Sequence, residues 1–267
     1  MPSTLKSGKA ASSTATVSAL ERGIAVLRCF NEHVESLSNT ELSALTGVPR
    51  PTVTRLAATL VAQGLLKQDP ETERFSLGPG VVALARAFLA HLDIRAIARP
   101  FMRELADSLG GSSYLAVCDD VDMVLIEIVR SRASALRPNH ELGTRIKLAG
   151  SSLGGAYLSV LQDIDPAGYR QLLARLQQHA GANWPAQAEQ VEDARRQYER
   201  NGYCVSLGGV SAEINSVAVP IRAGYSAPMA LNVGGPAFTF TEAYLHEKVA
   251  PALLRAVQAI GTQTGAS

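Results

Sequence analysis

Cysteine, aromatic residues and net charge are all scarce in these 267 residues: three cysteines, 5% aromatics and a formal charge of +1. Cys29, Cys118 and Cys204 stand far apart, which excludes a disulfide framework and the close thiolate spacing of a structural zinc site. The five histidines are equally scattered, with no paired metal spacing. Walker and dinucleotide fingerprints are missing, so no cofactor is expected. No apolar run reaches the roughly 18 residues that a membrane helix needs. Residues 1–16, rich in Ser, Thr, Ala and Lys, have Leu5 as their only large aliphatic side chain. They lack a signal peptide's apolar core and read as a disordered tail. A cytoplasmic chain with no membrane partner is expected. With so little net charge, any nucleic-acid contact must come from a local basic patch.

Such a patch is present. Leu20, Ile24, Leu27 and Phe30 recur at helical spacing and predict a first amphipathic helix. Ser38 and Glu41 form a capping-box pattern for a second, Leu42 and Leu45 face inward, and Gly47 ends it. Pro49-Arg50-Pro51 follows at once, and proline is tolerated in a first helical turn, so a third helix opens there. A helix pair around so short a turn has helix-turn-helix proportions. In the third helix Val53, Leu56, Ala57 and Leu60 share the packed side. Thr52, Arg55, Ala58 and Thr59 fall opposite, with Thr54 at the edge. Arginine reads guanine bidentately, threonine contacts bases or phosphates, and alanine permits close approach. Between Glu41 and Asp69 no acid occurs, whereas Arg50, Arg55 and Lys67 do. Residues 65–68 and 74–77 then read as two short strands around the turn Asp69-Pro70-Glu71-Thr72. Phe75 and Leu77 are expected to point inward and Arg74 outward, giving a basic wing.

The rest alternates helices and strands. A helical pattern covers residues 80–91, and Asp93 is a candidate cap for another helix to Leu109, kinked or restarted at Pro100. Strands are predicted at 113–118, 123–129, 145–148, 203–206, 216–221 and 229–233, with helices at 151–161, 166–178 and 185–201. Thr239 and Glu242 suggest a second capping box, opening a last helix that ends near Gly261. An antiparallel sheet flanked by helices fits this order. Asp119, Asp120 and Asp122 lack calcium-loop spacing and read as a solvated turn. Arg130, Arg132 and Arg137 read as a solvated face, their holding of an acidic effector being the lesser alternative. The sharpest local feature is Gly150-Ser151-Ser152-Leu153-Gly154-Gly155 between a strand and a helix. Free amides at a helix N-terminus attract carboxylates, and glycines allow close approach. The same stretch contains Gly-x-Ser-x-Gly around Ser152, so a nucleophile-elbow esterase is the rival reading. Against it, the chain beyond the wing has no room for a many-stranded parallel sheet, and no oxyanion loop precedes the serine. A third reading is a DNA-binding oligomer without ligand sensing.

Several stretches resemble the isocitrate lyase regulator (IclR) family: Leu20-Glu21-Arg22-Gly23-Ile24-Ala25-Val26-Leu27, Leu37-Ser38 with Glu41-Leu42, Thr46-Gly47-Val48-Pro49-Arg50-Pro51-Thr52-Val53-Thr54-Arg55-Leu56 and Phe75-Ser76-Leu77-Gly78. The resemblance implies an α+β chain: a winged helix-turn-helix over 17–78, a linker helix over 79–92 and a GAF-like effector-binding and oligomerisation domain over 93–267. It implies that Arg50, Thr52, Thr54 and Arg55 contact double-stranded operator DNA. The residue pattern adds Thr59, Lys67 and Arg74 as candidates. A homodimer or dimer of dimers and a small organic effector, plausibly a carboxylic acid, are further implications. Candidate effector residues are Ser151, Ser152, Gly154 and Gly155, and by position in the family Asn215, Pro220, Asn232 and Gly234. Two departures stand out: Pro51 occupies the place of a usual serine, and Gly155 that of a common lysine.

Overall fold

The computed structural model describes residues 17–131, 140–222 and 227–265. The tail 1–16, Arg132 and Arg137 lie outside the described residues. The chain divides into two compact units, Met1–His91 and Leu92–Ser267.

In the first unit, α1 (Ser18–Leu27) buries Gly23 and Val26. Leu20 and Ile24 are exposed, so the expected apolar stripe is rotated on this helix. Its packing side is the one where Gly23, lacking a side chain, faces Leu56. In α2 (Asn39–Thr46), Ser38 Oγ accepts from the Glu41 amide while Ser38 N donates to Glu41 Oε2 at 2.7 Å, closing the expected capping box. Gly47 ends it at φ 67°. Leu45 is exposed rather than inward-facing. Helix α3 (Arg50–Ala62) carries Pro51 in its first turn and buries Val53 and Ala57. Strands β1 (Leu66–Gln68) and β2 (Phe75–Leu77) pair antiparallel, and Asp69 accepts the amides of Glu71 and Thr72 across the turn. Leu37 bridges to Phe75, adding a third segment to the wing. Val26, Leu42, Val53, Leu66 and Phe75 make the core, whereas Leu77 is exposed, contrary to the strand alternation. Helix α4 (Gly80–Ala90) starts against the turn after α3, where Gly80 N donates to Gly64 O at 2.9 Å. A Cβ on Gly78 would sit 2.3 Å from Gly64 O, so only glycine allows this approach.

The second unit opens with α5 (Asp93–Leu109), one continuous helix despite Pro100. Leu92, not Asp93, holds the N-cap position, and Asp93 is the first helical residue. Strands β3 (Ser112–Asp119), β4 (Asp122–Arg130), β5 (Arg145–Lys147), β6 (Cys204–Leu207), β7 (Ile214–Ile221) and β8 (Met229–Pro236) form an antiparallel sheet in the order β5-β4-β3-β8-β7-β6. One face carries α5 and α10 (Ala250–Thr264). The other carries α6 (Ser152–Ile164), with α7 (Pro166–Ala180) and α8 (Trp184–Asn201) packed on it. Covered on both faces, the central strand β8 is buried along its whole length.

A bulge at Ile126 shifts the parity of β4, since Glu127 pairs with Leu115 but Leu125 with Ala116. Leu125 therefore packs with Tyr114 and Ala116 in the cluster under α6. Glu127 turns to α5, where Arg95 and Arg99 hold its buried carboxylate at 3.0 and 2.8 Å. Such a pair replaces the lost hydration of the charge with direct hydrogen bonds. The expected Thr239–Glu242 cap is displaced by two residues: Thr241 Oγ1 accepts the Tyr244 amide, and Thr239 donates to Pro236 O. A short α9 (Glu242–Tyr244) runs through a π-helical turn, Leu245–Val249, into α10, which extends past Gly261 to Thr264.

Candidate functional site

The DNA-facing candidates lie on α3 and the wing. Arg50 and Arg55 are exposed, and neither guanidinium has a hydrogen bond or ion pair among the described residues. Lys67 is exposed on β1. The threonines are less free. Thr54 Oγ1 accepts from Asn39 Nδ2 at 2.6 Å and donates to Arg50 O at 3.0 Å. Thr59 Oγ1 donates to Arg55 O at 2.9 Å. Their protons are spent on the helix, leaving lone pairs and methyls to face a ligand. Thr52 is half-buried and, with Arg55 and Thr59, edges a groove against Leu20 and Ile24 of α1.

Arg74 corrects the outward placement read from the strand pattern. Its guanidinium reaches back to Ser36 Oγ and Ser36 O, both at 2.9 Å, and to Glu41 Oε2 at 2.9 Å. The residue precedes β2 rather than alternating within it, so nothing in the pleat turns it to solvent. It ties the wing to the capping box of α2. Hydrogen bonds from Ser38, reinforced by Arg74, hold the Glu41 carboxyl below its ordinary range.

In the second unit a cavity of about 350 Å³ lies between the sheet and the start of α6. Leu125, Ile146, Leu153, Val210 and Ile214 supply its apolar walls. Four of the effector candidates, Ser151, Ser152, Asn232 and Gly234, line it. Four other candidates do not. Asn215 lies on the opposite face, donating to Phe240 O and accepting from Gly208 N, because side chains alternate and Ser216 takes the cavity side. Pro220 lies further along β7, opposite Ala230, outside the lining. A Cβ on Gly154 would sit 2.0 Å from Leu148 O, and one on Gly155 2.7 Å from Ala194 Cβ. Those glycines serve packing of α6 against the preceding strand segment and α8. Gly155 thus stands where a side chain as large as lysine would collide with α8.

The sequence reading missed Tyr114, His140, Ser206, Ser211, Glu213 and Ser216 in the lining. Tyr114 lies within a predicted strand, but alternation alone does not say which side faces inward. Its ring meets His140 edge-on at 5.7 Å, and burial pushes its phenol pKa up, so it stays protonated. Arg130 donates to His140 O and to Glu141. Among the described lining residues there is no lysine or arginine; Glu213 and His140 are the titratable polar groups besides the phenol.

At the start of α6, Ser151 Oγ accepts from Gly154 N at 3.0 Å and donates to Lys147 O. That leaves the amides of Ser152 and Leu153, both lining residues, without an intrahelical acceptor. Ser152 Oγ is 2.8 Å from Ser216 Oγ, with both hydroxyls buried. This arrangement does not suit a hydrolase. The serine's partner is another hydroxyl, the sheet is antiparallel, and His179 and His246 are bonded to Arg175 O and Tyr203 Oη.

Comparison with known proteins fits both units. Residues 19–70 match the family model of the IclR helix-turn-helix domain, and residues 86–262 match that of the bacterial transcriptional regulator IclR C-terminal domain. The HTH-type transcriptional regulator TsaQ1/TsaQ2 of Comamonas testosteroni is 32% identical over 260 residues, 96% of this chain and 91% of that protein. An IclR family regulator from Brucella abortus superposes with a TM-score of 0.86 at 33% identity, covering 98% of this chain and 99% of that one. An IclR homologue from Microbacterium hydrocarbonoxydans, solved with 4-hydroxybenzoate, shares the fold at 22% identity and a TM-score of 0.68, covering 93% and 100%. The winged unit with its Pro-opened helix and the helix-flanked antiparallel sheet are therefore parts of one architecture: the chain belongs to the IclR family of DNA-binding transcriptional regulators.

Proposed function

We propose that this regulator, acting in the cytoplasm, controls genes for the catabolism of a small organic acid that it senses in the cavity beneath α6. The observation that carries this reading is the start of α6. Two backbone amides without intrahelical acceptors belong to residues that line the cavity, Ser152 and Leu153, and a helix N-terminus favours a negative group. Without a lysine or arginine among the described lining residues, the site suits one carboxylate rather than two. The Microbacterium homologue's ligand, 4-hydroxybenzoate, has that chemistry.

DNA is read by α3 in the major groove, with Arg50 and Arg55 as the principal contacts and Lys67 on the wing meeting backbone. Thr52, Thr54 and Thr59 line the approach, while Arg74 holds the wing in place. The protein works as a homodimer or dimer of dimers. Exposed Leu20 and Ile24 on α1, and Val82, Leu84 and Phe88 on α4, supply apolar surface for self-association. Effector binding shifts the population of dimer arrangements that match the operator.

The test is binding of purified protein to its own upstream DNA at two salt concentrations with excess competitor, with and without a panel of small monocarboxylates. Retention that resists competitor and falls steeply with salt is expected. At least one acid should both change that retention and raise the thermal midpoint. Loss of all specific retention, or indifference to every acid, overturns the corresponding half of the reading.

A further inference from the structure

Two side chains in the cavity have polar atoms without a hydrogen bond of good geometry among the described residues. Tyr114 Oη and Asn232 Oδ1 are buried, in residues only 5% and 7% exposed, and neither makes a hydrogen bond of good geometry. The Ser112 hydroxyl is near enough to Tyr114 to offset part of the burial effect on its pKa but is not aligned to bond it. Both residues line the cavity. They are also direct neighbours, since Tyr114 and Asn232 are cross-strand partners in the β3–β8 register and their side chains leave the same face. Neighbouring as they are, the phenol and the carboxamide oxygen do not bond each other.

Neighbouring polar side chains do find partners. Ser113 Oγ donates to Asn232 O at 3.0 Å, and the Ser152 and Ser216 hydroxyls pair across the cavity wall. An orphaned pair therefore stands out against its surroundings. A buried donor or acceptor left unsatisfied is costly, and in native proteins such groups have a reason.

We infer that the pair is completed by a hydroxyl of the bound effector, which donates to Asn232 Oδ1 and accepts from the Tyr114 phenol. One O–H group has the one donor and two acceptor positions that this requires. With the carboxamide oxygen toward the cavity, as it stands here, an ether or ketone would leave Asn232 Oδ1 without a donor. An ammonium would leave the phenol without an acceptor for its proton. The ligand class is thus a hydroxylated monocarboxylic acid, with carboxylate at α6 and hydroxyl at the β3–β8 pair. This rests on the carboxylate reading above and adds the second anchor point.

The experiment compares matched acids by calorimetry and thermal shift on the full chain. One set is benzoate with its 2-, 3- and 4-hydroxy forms, and the other is butyrate with its 2-, 3- and 4-hydroxy forms. At least one hydroxy acid should bind tenfold or more tightly than its parent. Tyr114→Phe and Asn232→Leu should each erase that preference, so that within each variant the hydroxy acid binds no more tightly than its parent. Because each variant removes an unsatisfied polar group, the ligand-free protein should melt no lower than wild type, and a purely structural pair would melt lower. Parents that bind as well as every hydroxy form, or a preference that survives both substitutions, overturn the hydroxyl anchor alone. The latter result would mean that water occupies the pair. Failure of all eight acids overturns the carboxylate reading beneath it as well.

Discussion

Gly154 shows what a single hydrogen in place of a methyl does here. Its α-carbon lies so close to the backbone of Leu148 that a Cβ would be 2.0 Å from the carbonyl oxygen. Backbone cannot rotate aside, so Gly154→Ala must push α6 off the strand segment before it. We expect a loss of about 1–3 kcal/mol in chemical denaturation, the range typical of overpacking, together with weakened effector binding, since Ser152 and Leu153 move with the helix. An unchanged midpoint would show that the turn relaxes freely. Arg55 is the opposite case, a side chain with no partner of its own among the described residues, so its removal leaves the fold intact. Arg55→Ala should cost about 1–3 kcal/mol of specific DNA binding at fixed salt if it reads a base, with the melting temperature unchanged. Equal affinity in a competition titration would remove it from the interface.

At the scale of elements, α2 and the wing depend on one carboxylate. Glu41 caps α2 and receives Arg74, and these contacts lower its pKa in the folded state. A depressed carboxyl stabilises the fold above its unfolded pKa and ceases to do so as pH falls through the folded value. Asp69 in the wing turn is depressed too, chiefly by its hydrogen bond from the Thr72 amide, and acts in the same sense. Acidification below the ordinary carboxylate range should therefore loosen α2 and the wing, and Glu41→Gln should blunt that dependence. Amide exchange of the wing against pH measures it, and identical pH profiles for both proteins would refute the assignment. The cap itself was legible in the sequence because it is local, a Ser three residues before a Glu. Arg74's route was not, since it depends on Ser36, 38 positions away. The same limit explains the cavity. Ser151 and Ser152 follow from a strand–helix junction that a reader can see. Tyr114 and Ser216, and the exclusion of Asn215, depend on strand parity, which one residue reverses. The bulge at Ile126 reverses it within β4 without any signature in the residues themselves.

For the whole molecule, the two units differ in how far their contacts reach along the chain. The first closes its core between Val26 and Phe75. The second joins β3 to β8, pairing Ser113 with Val233 and Tyr114 with Asn232 at the centre of the sheet. Closing so long a loop slows folding, whereas local contacts form early. Refolding followed by pulsed amide exchange should show the winged unit protected in a faster phase than β3 and β8, and those two strands protected together. Protection of β3 ahead of β8 would contradict this order. The pairing also matters on the ribosome, where a chain released before Met229 has made everything needed for the winged unit. Its sensor, however, lacks the central strand and leaves β3 with an open edge, inviting aggregation. A chain that stops between the end of the winged unit and Met229 would thus carry a complete DNA reader attached to a sheet that cannot close.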